Sequence, residues 1–542
     1  MHRSSGLAAL LLLAILPGCG ASEAGPRSGV GARDETPRVG GSFHMVLEAP
    51  TCLEPACVDS VYDALPTSQI FDGLVALDAG LNIVPRLADT WTISRDGRTY
   101  TIHLREGVTF HDGSPLTAED VVYSIERLLD PRRERKSIAS SYLGVIRGAD
   151  AYSAGKAARV AGVTAKDASR VEILLDRPYL SFLEVLAMDD LRVVPKGVVR
   201  ARGERAFRAA PVGTGPFRLA EWNREELRLI ANPSYFSGRP HLDEVVIHFP
   251  RPDERDAGNA RFLRGEIQIV EPTSDSLPVL AKDPTVEIHR YQELSLSFLG
   301  IQTGVPPWTD PRVRRAIAQA IDRKALAQIS PSTRREAQGI LPPGLPGYSP
   351  APKSPPYDPA AAKRLLAEAG FPEGRGLTPL RLYTAQTGSS AVVKSNGRVK
   401  EDLAKVGIKL EIHEVPWSKL IALIEDNAAP AFQLGWIADL PDPDAFLRTL
   451  FEPGGTANYF NFLDHDTAAA LERGASETNP LERARIYREL ERSILEKAPL
   501  IPLFHSMGMI AARREVRGLK PGPMGIASLD LETVWLANVG AR

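Results

Sequence analysis

Trp91-Thr92-Ile93-Ser94, Arg95-Asp96-Gly97-Arg98 and Thr99-Tyr100-Thr101-Ile102-His103-Leu104 follow one another without a break. The outer two runs carry the alternation of a half-buried strand, and Asp-Gly between them supplies the positive φ that a tight turn needs, so the stretch predicts a β-hairpin. Phe110-His111-Asp112-Gly113-Ser114-Pro115-Leu116 then reads as a loop. Thr117-Ala118-Glu119-Asp120 opens a helix with an acid three residues after a hydroxyl cap. Val121, Ile125, Leu128 and Leu129 share one face of that helix, and Pro131 ends it.

Working outward, the elements keep alternating. Ser42 to Leu47 is a first strand candidate, and Leu227 to Ile230, Val245 to Phe249 and Ile267 to Ile269 continue the β series. Asp310-Pro311, Asp358-Pro359 and Asn479-Pro480 are three helix starts of one kind, a polar N-cap with proline at the first helical position. Phe432 to Leu434 and Ile408 to Ile412 are strands, Trp417 to Ile424 is a helix entered at Pro416, and Leu500 to Phe504 and Met507 to Ala511 read as two strands. This is an α/β pattern. A chain of 542 residues is too long for one core, so two or three lobes are expected.

Met1-His2-Arg3 followed by apolar Leu7 to Leu16 reads as an export signal over residues 1–18, since a membrane span needs roughly 20 apolar residues. Leu16-Pro17-Gly18-Cys19 resembles the bacterial lipoprotein box, which implies a lipid on Cys19; Pro17 departs from the residue usual there. Residues 19–37 have little to bury and read as a flexible tether. The 65 basic and 67 acidic residues nearly balance, and the absence of a long basic block argues against nucleic acid. Cys52 and Cys57 are expected to form a disulfide in an exported chain, because two thiols without a His cluster make a poor metal site. No metal and no cofactor are expected.

Gly435-Trp436-Ile437-Ala438-Asp439-Leu440-Pro441-Asp442-Pro443-Asp444 is a small binding site in outline: a glycine that admits close approach, a flat apolar face, and a charge. Locally, Asp439, Asp442 and Asp444 read equally as solvated loop acids, with Asp442 and Asp444 capping a helix near Phe446. His111 lacks a partner at metal or triad spacing and reads as a turn histidine. Ser153 and Lys156 match the Ser-x-x-Lys pattern of acylating serine enzymes, a match that chance supplies in a long chain. No P-loop, His-Glu-x-x-His or Gly-x-Ser-x-Gly is present.

Gln69 to Val75, Leu87 to Trp91 with its hairpin, Phe110 to Val121, Gly213 to Phe217, Asn232 to Phe236, Asp310 to Asp322 and Asp358 to Gly370 together resemble, in order, the family 5 extracellular solute-binding proteins. These are oligopeptide and dipeptide receptors of ABC importers. The resemblance implies a two-lobed class II periplasmic-binding-protein fold with an extra third domain. The expected division is lobe I at 38–65, 206–293 and 505–542, the extra domain at 66–205, and the other lobe at 294–504, with hinge crossings near Leu294 to Gly300 and Phe504 to Ser506. It further implies that Asp439 meets a ligand amine, that Trp436 beside Gly435 and Trp417 line the pocket, and that an ABC permease is the partner of a monomeric, membrane-tethered receptor without enzymatic activity. Leu440 departs from the tyrosine or asparagine often found after the aspartate, and no arginine stands in a motif that would mark a carboxylate receptor. Similar proteins take nickel complexes, haem, opines or oligosaccharides, so a non-peptide cargo is the alternative, and a serine hydrolase using Ser153 and Lys156 a remote one.

Overall fold

The hairpin forms as the alternation requires. In a computed structural model, which describes residues 36–537 apart from 59, 134–136, 252–253, 255, 352–353, 387–388 and 456, strands Ala88–Ile93 and Thr99–Leu104 pair antiparallel with Ile93 opposite Tyr100. Cys19 and the export signal lie outside the described residues. Gly97 takes a φ of 66° in the turn, and Tyr100, Ile102 and Leu104 face the core. Arg170–Leu174 and Val163–Ala165 complete this four-stranded sheet. Helix Ala118–Leu128 follows with its capping box made by Thr117 and Asp120. Asp120 also accepts from the Lys196 backbone N–H at 2.9 Å, so one carboxylate fixes two chain segments.

A second four-stranded sheet runs in the order Ser42–Val46, Glu244–His248, Glu226–Ala231, Phe217–Trp222, with the first pair parallel. Its approach to helix Val61–Ile70 explains the glycines of Gly213-Thr214-Gly215. A Cβ on Gly213 would stand 2.0 Å from the Ile70 carbonyl oxygen, and one on Gly215 2.5 Å from that of Gln69. His111 is the turn residue expected: its Nε2 donates to Gly215 O at 3.0 Å and its Nδ1 accepts from Gly213 N.

An eight-stranded mixed sheet holds most of the remaining strands, and Val75–Leu77 with Ile83–Pro85 and Val516–Arg517 with Trp535–Leu536 form two short pairs. Here the structure corrects the reading of two C-terminal strands, because Leu500–Arg513 is a single strand of 14 residues. Its first part pairs with Ser295–Ile301, its last part with Val286–Gln292, and Phe504–Ser506 also pair with Arg334–Glu336. The polar His505-Ser506 step that looked like a break is where the strand changes partners. His505 is 2 % exposed, donates from Nδ1 to Ser295 O at 2.8 Å, and stands opposite Arg335 in the pairing with Arg334–Glu336. The three Asp-Pro and Asn-Pro starts open helices Pro311–Ala320, Pro359–Glu368 and Pro480–Lys497, each capped by its Asp or Asn side chain. Among the described residues no helix is long and apolar enough to cross a membrane.

Candidate ligand-binding cleft

A cavity of about 3160 Å³ is lined by residues from segments spread along the chain from Glu48 to Thr533, well above the 300–1,000 Å³ typical of a drug-sized site. Asp439, Trp436, Gly435 and Trp417 all stand on its wall. Strand Ala431–Ile437 runs through Gly435 and Trp436, so these two belong to the strand itself, and Asp439 sits two residues past its end. A Cβ at Gly435 would meet nothing within 4 Å, so glycine here leaves open space in the cavity wall. Trp436 is oriented by its Nε1, which donates to Ala445 O at 2.8 Å. Trp417, on the first turn of helix Trp417–Glu425, is 58 % exposed, an uncommon state for the largest apolar side chain.

Asp439 is half-buried as a residue, yet its Oδ2 is shut off from solvent and has no hydrogen-bond partner among the described residues. Burial, followed by the charges of Asp190 and Asp189, pushes its carboxyl up to about 8. Asp189 and Asp190 come from a short 3-10 turn, Asp189–Leu191, packed against a second such turn, Pro55–Cys57. The latter is closed by the Cys52–Cys57 disulfide. Asp189 pairs with Arg192, while Asp190 is 7 % exposed and, among the described residues, receives only the Ser137 hydroxyl as a side-chain donor. Burial, with Asp189 and Glu54 adding to it, pushes Asp190 up to about 7.

The same stapled turn carries a basic group. Glu54, wholly buried, accepts from Arg127 Nη1 at 2.6 Å and Arg208 Nε at 3.2 Å. Arg127 also pairs with Glu204. Arg133 donates from Nη2 to Ala56 O at 2.6 Å, while its buried Nε has no partner and burial lowers its pKa. Three arginines thus stand against two glutamates, all but Glu54 on the cavity wall. Neither Arg133 nor Asp190 was singled out from the sequence. The only signal is the run Asp189-Asp190-Leu191-Arg192 between apolar Met188 and Val193-Val194, and an Arg-rich stretch after the helix at Arg132-Arg133.

Asp442 and Asp444 are neither solvated nor mainly caps, which corrects the local reading. They are 3 % and 0 % exposed. Asp442 does accept from the Asp444 backbone N–H at 2.9 Å, but it also pairs with Arg483 at 2.7 Å and receives the Ser181 hydroxyl. Asp444 receives Tyr179 OH at 3.0 Å and Tyr487 OH at 2.7 Å and pairs with Arg448. A carboxylate so deep needs such partners, because an unpaired buried charge is prohibitively unfavourable. With Tyr142 OH and Thr449 Oγ1 2.7 Å apart, this network joins the 137–182 region to the 440–487 region. Ser153 closes the short helix Ala149–Ser153, and no hydrogen bond joins it to Lys156 among the described residues.

A large cleft whose lining carries both an orphaned acid and an unsatisfied guanidinium is the outline of a receptor for a small polar solute. Residues 82–458 match the family described as bacterial extracellular solute-binding proteins, family 5 Middle. The chain belongs to that family. It is 30 % identical to di/tripeptide-binding protein 2 of Pseudomonas aeruginosa, over 88 % of this chain and 91 % of that one. It is 29 % identical to heme-binding protein A of Haemophilus influenzae, over 89 % and 90 %. Among solved structures it is similar to the DppA periplasmic binding protein of Helicobacter pylori in complex with the peptide STSA, with a TM-score of 0.82 and 26 % identity over 92 % of this chain and 99 % of that one. The murein tripeptide binding protein MppA of Escherichia coli gives the same TM-score at 25 % identity, over 92 % and 98 %.

Proposed function

We propose that this chain is the receptor of an ABC importer that captures a short peptide, or a similar small amine-bearing solute, in the cleft and delivers it to a membrane permease. The observation that carries the reading is the buried, partnerless Oδ2 of Asp439 on the wall of a large cavity. A ligand ammonium there would supply the counter-charge that the protein withholds. Trp436 and Trp417 flank the ligand chain, Gly435 leaves room for it, and Arg133 takes the carboxylate end through its unsatisfied guanidinium edge. The relatives whose names specify di- and tripeptides support the peptide class.

The lobes divide at 38–65, 206–293 and 505–542 against 294–504, with 66–205 as the extra domain. The change of partner along Leu500–Arg513 and the start of Ser295–Ile301 are the two crossings about which the cleft closes. The receptor works as a monomer held to the membrane by lipid on Cys19 through residues 19–37, and it performs no chemistry on its cargo. Calorimetric titration with free-amine dipeptides tests the site. Asp439→Asn is expected to weaken binding by about 2–5 kcal/mol, as when one partner of a buried charge pair is removed. Equal affinities for the two proteins would sink the assignment.

A further inference from the structure

The acidic end of the cleft holds more buried charge than one ammonium can offset. Of its three carboxylates, Asp189 already has Arg192, with Nε at 2.8 Å and Nη2 at 2.7 Å. Among the described residues, Asp439 has no partner for a carboxyl oxygen that solvent cannot reach, and Asp190, more than nine-tenths buried, has a neutral hydroxyl. Both stand on the cavity wall, and Asp190 is the first neighbouring charge that Asp439 feels. The other groups nearby do not relieve them. Glu54 adds repulsion at Asp190 but is itself held by Arg127 and Arg208, and Tyr142, close to Asp439, is spent on Thr449. Asp190 is also poorly placed to turn away, because its turn is packed on the disulfide-closed Pro55–Cys57 turn and anchored by the buried side chain of Leu191. A wall that keeps two carboxylates in place with no cation on either among the described residues is complementary to two positive charges on one ligand.

We propose that Asp190 is a second cation receptor beside Asp439, and that the preferred cargo is a short peptide whose first residue is lysine or arginine, with its α-amine on Asp439 and its side-chain ammonium or guanidinium on Asp190. This rests on the amine-at-Asp439 reading above.

The test is calorimetric titration at pH 7.5 with Lys-Ala and with norleucyl-Ala, which has the same chain length without the side-chain charge. Wild type, Asp190→Asn and Asp439→Asn are compared, with Asp190→Glu as a variant that keeps the charge. Wild type is expected to bind Lys-Ala about tenfold or more tighter than norleucyl-Ala, the scale of a charge-assisted contact. Asp190→Asn is expected to bring that ratio close to one through loss of Lys-Ala affinity alone, Asp190→Glu to retain a preference, and Asp439→Asn to weaken both peptides. A ratio near one in wild type, or one that Asp190→Asn leaves unchanged, overturns the proposal. If Asp439→Asn binds both peptides as wild type does, the amine reading fails, while the Asp190 ratio still reports on a second cation site. If neither peptide binds wild type, both readings fall.

Discussion

Replacing Asp439 by Asn should make the empty protein more stable while making it a worse receptor. The native carboxyl is held near 8 by burial and by Asp190 and Asp189, against about 3.9 for an unfolded chain. Between those values the native state keeps a proton that the unfolded state has released, so stability falls as pH rises. The contribution is fully present below about 3.9 and is lost as pH climbs through about 8. At pH 7 the gap corresponds to an upper bound of about 4 kcal/mol, and water in so large a cleft reduces it to about 1–3 kcal/mol. Asparagine has no proton to lose and escapes this penalty. With an unfolding entropy of roughly 2.1 cal/mol/K per residue, a chain of this length gains about 1 °C per kcal/mol, so the Asn variant should melt about 1–3 °C higher at pH 8. Scanning calorimetry of ligand-free protein at pH 4.5 and pH 8 reads the difference, which should shrink toward zero at the lower pH. A variant that is no more stable than wild type at pH 8, or whose advantage is the same at both pH values, would refute the electrostatic account of this residue.

Arg133→Gln should weaken binding of peptides with a free carboxylate by about tenfold and leave C-terminally amidated peptides untouched, as titration of each pair would show. Trp417→Ala should lower ligand affinity with a stability change within about 0.5 kcal/mol, because the side chain is 58 % exposed and its stability role is small. Asp444→Asn should behave in the opposite way and lower unfolding stability by about 1–3 kcal/mol in a denaturant titration, since it weakens the buried acceptor of Tyr179 and Tyr487, while Arg448 keeps Glu452 and Glu472.

Elements whose signal is local were legible. The Asp96-Gly97 turn, the Thr117 and Asp120 capping box and the three proline-started helices each rest on chemistry within a few residues, and each formed at its expected place. Partner exchange is not local, and so Leu500–Arg513 read as two strands: nothing within His505-Ser506 reveals that Ser295 supplies an acceptor from 210 positions away. The site divides in the same way. Asp439, Trp436, Gly435 and Trp417 could be carried over because they stand in recognisable segments, and the structure sets all four on one cavity. Asp190 and Arg133 stand in no such segment. Their importance comes from what surrounds them, a Ser137 hydroxyl and an Ala56 carbonyl, and from what does not. Asp442 and Asp444 misled for the converse reason: their partners Arg483 and Arg448 are helix residues whose burial cannot be read from a polar loop.

Strand Ser42–Val46 has its parallel partner at Glu244–His248, and Arg38 bonds to the Ala537 carbonyl at the far end of the chain. At ribosomal rates of about 5–20 residues per second, some 200 intervening residues keep that first strand waiting about 10–40 s, and the final closure waits for the whole of translation. The amino-terminal segment therefore cannot lock itself into its sheet while it is being made. Such a sequence order delays the folded state by construction.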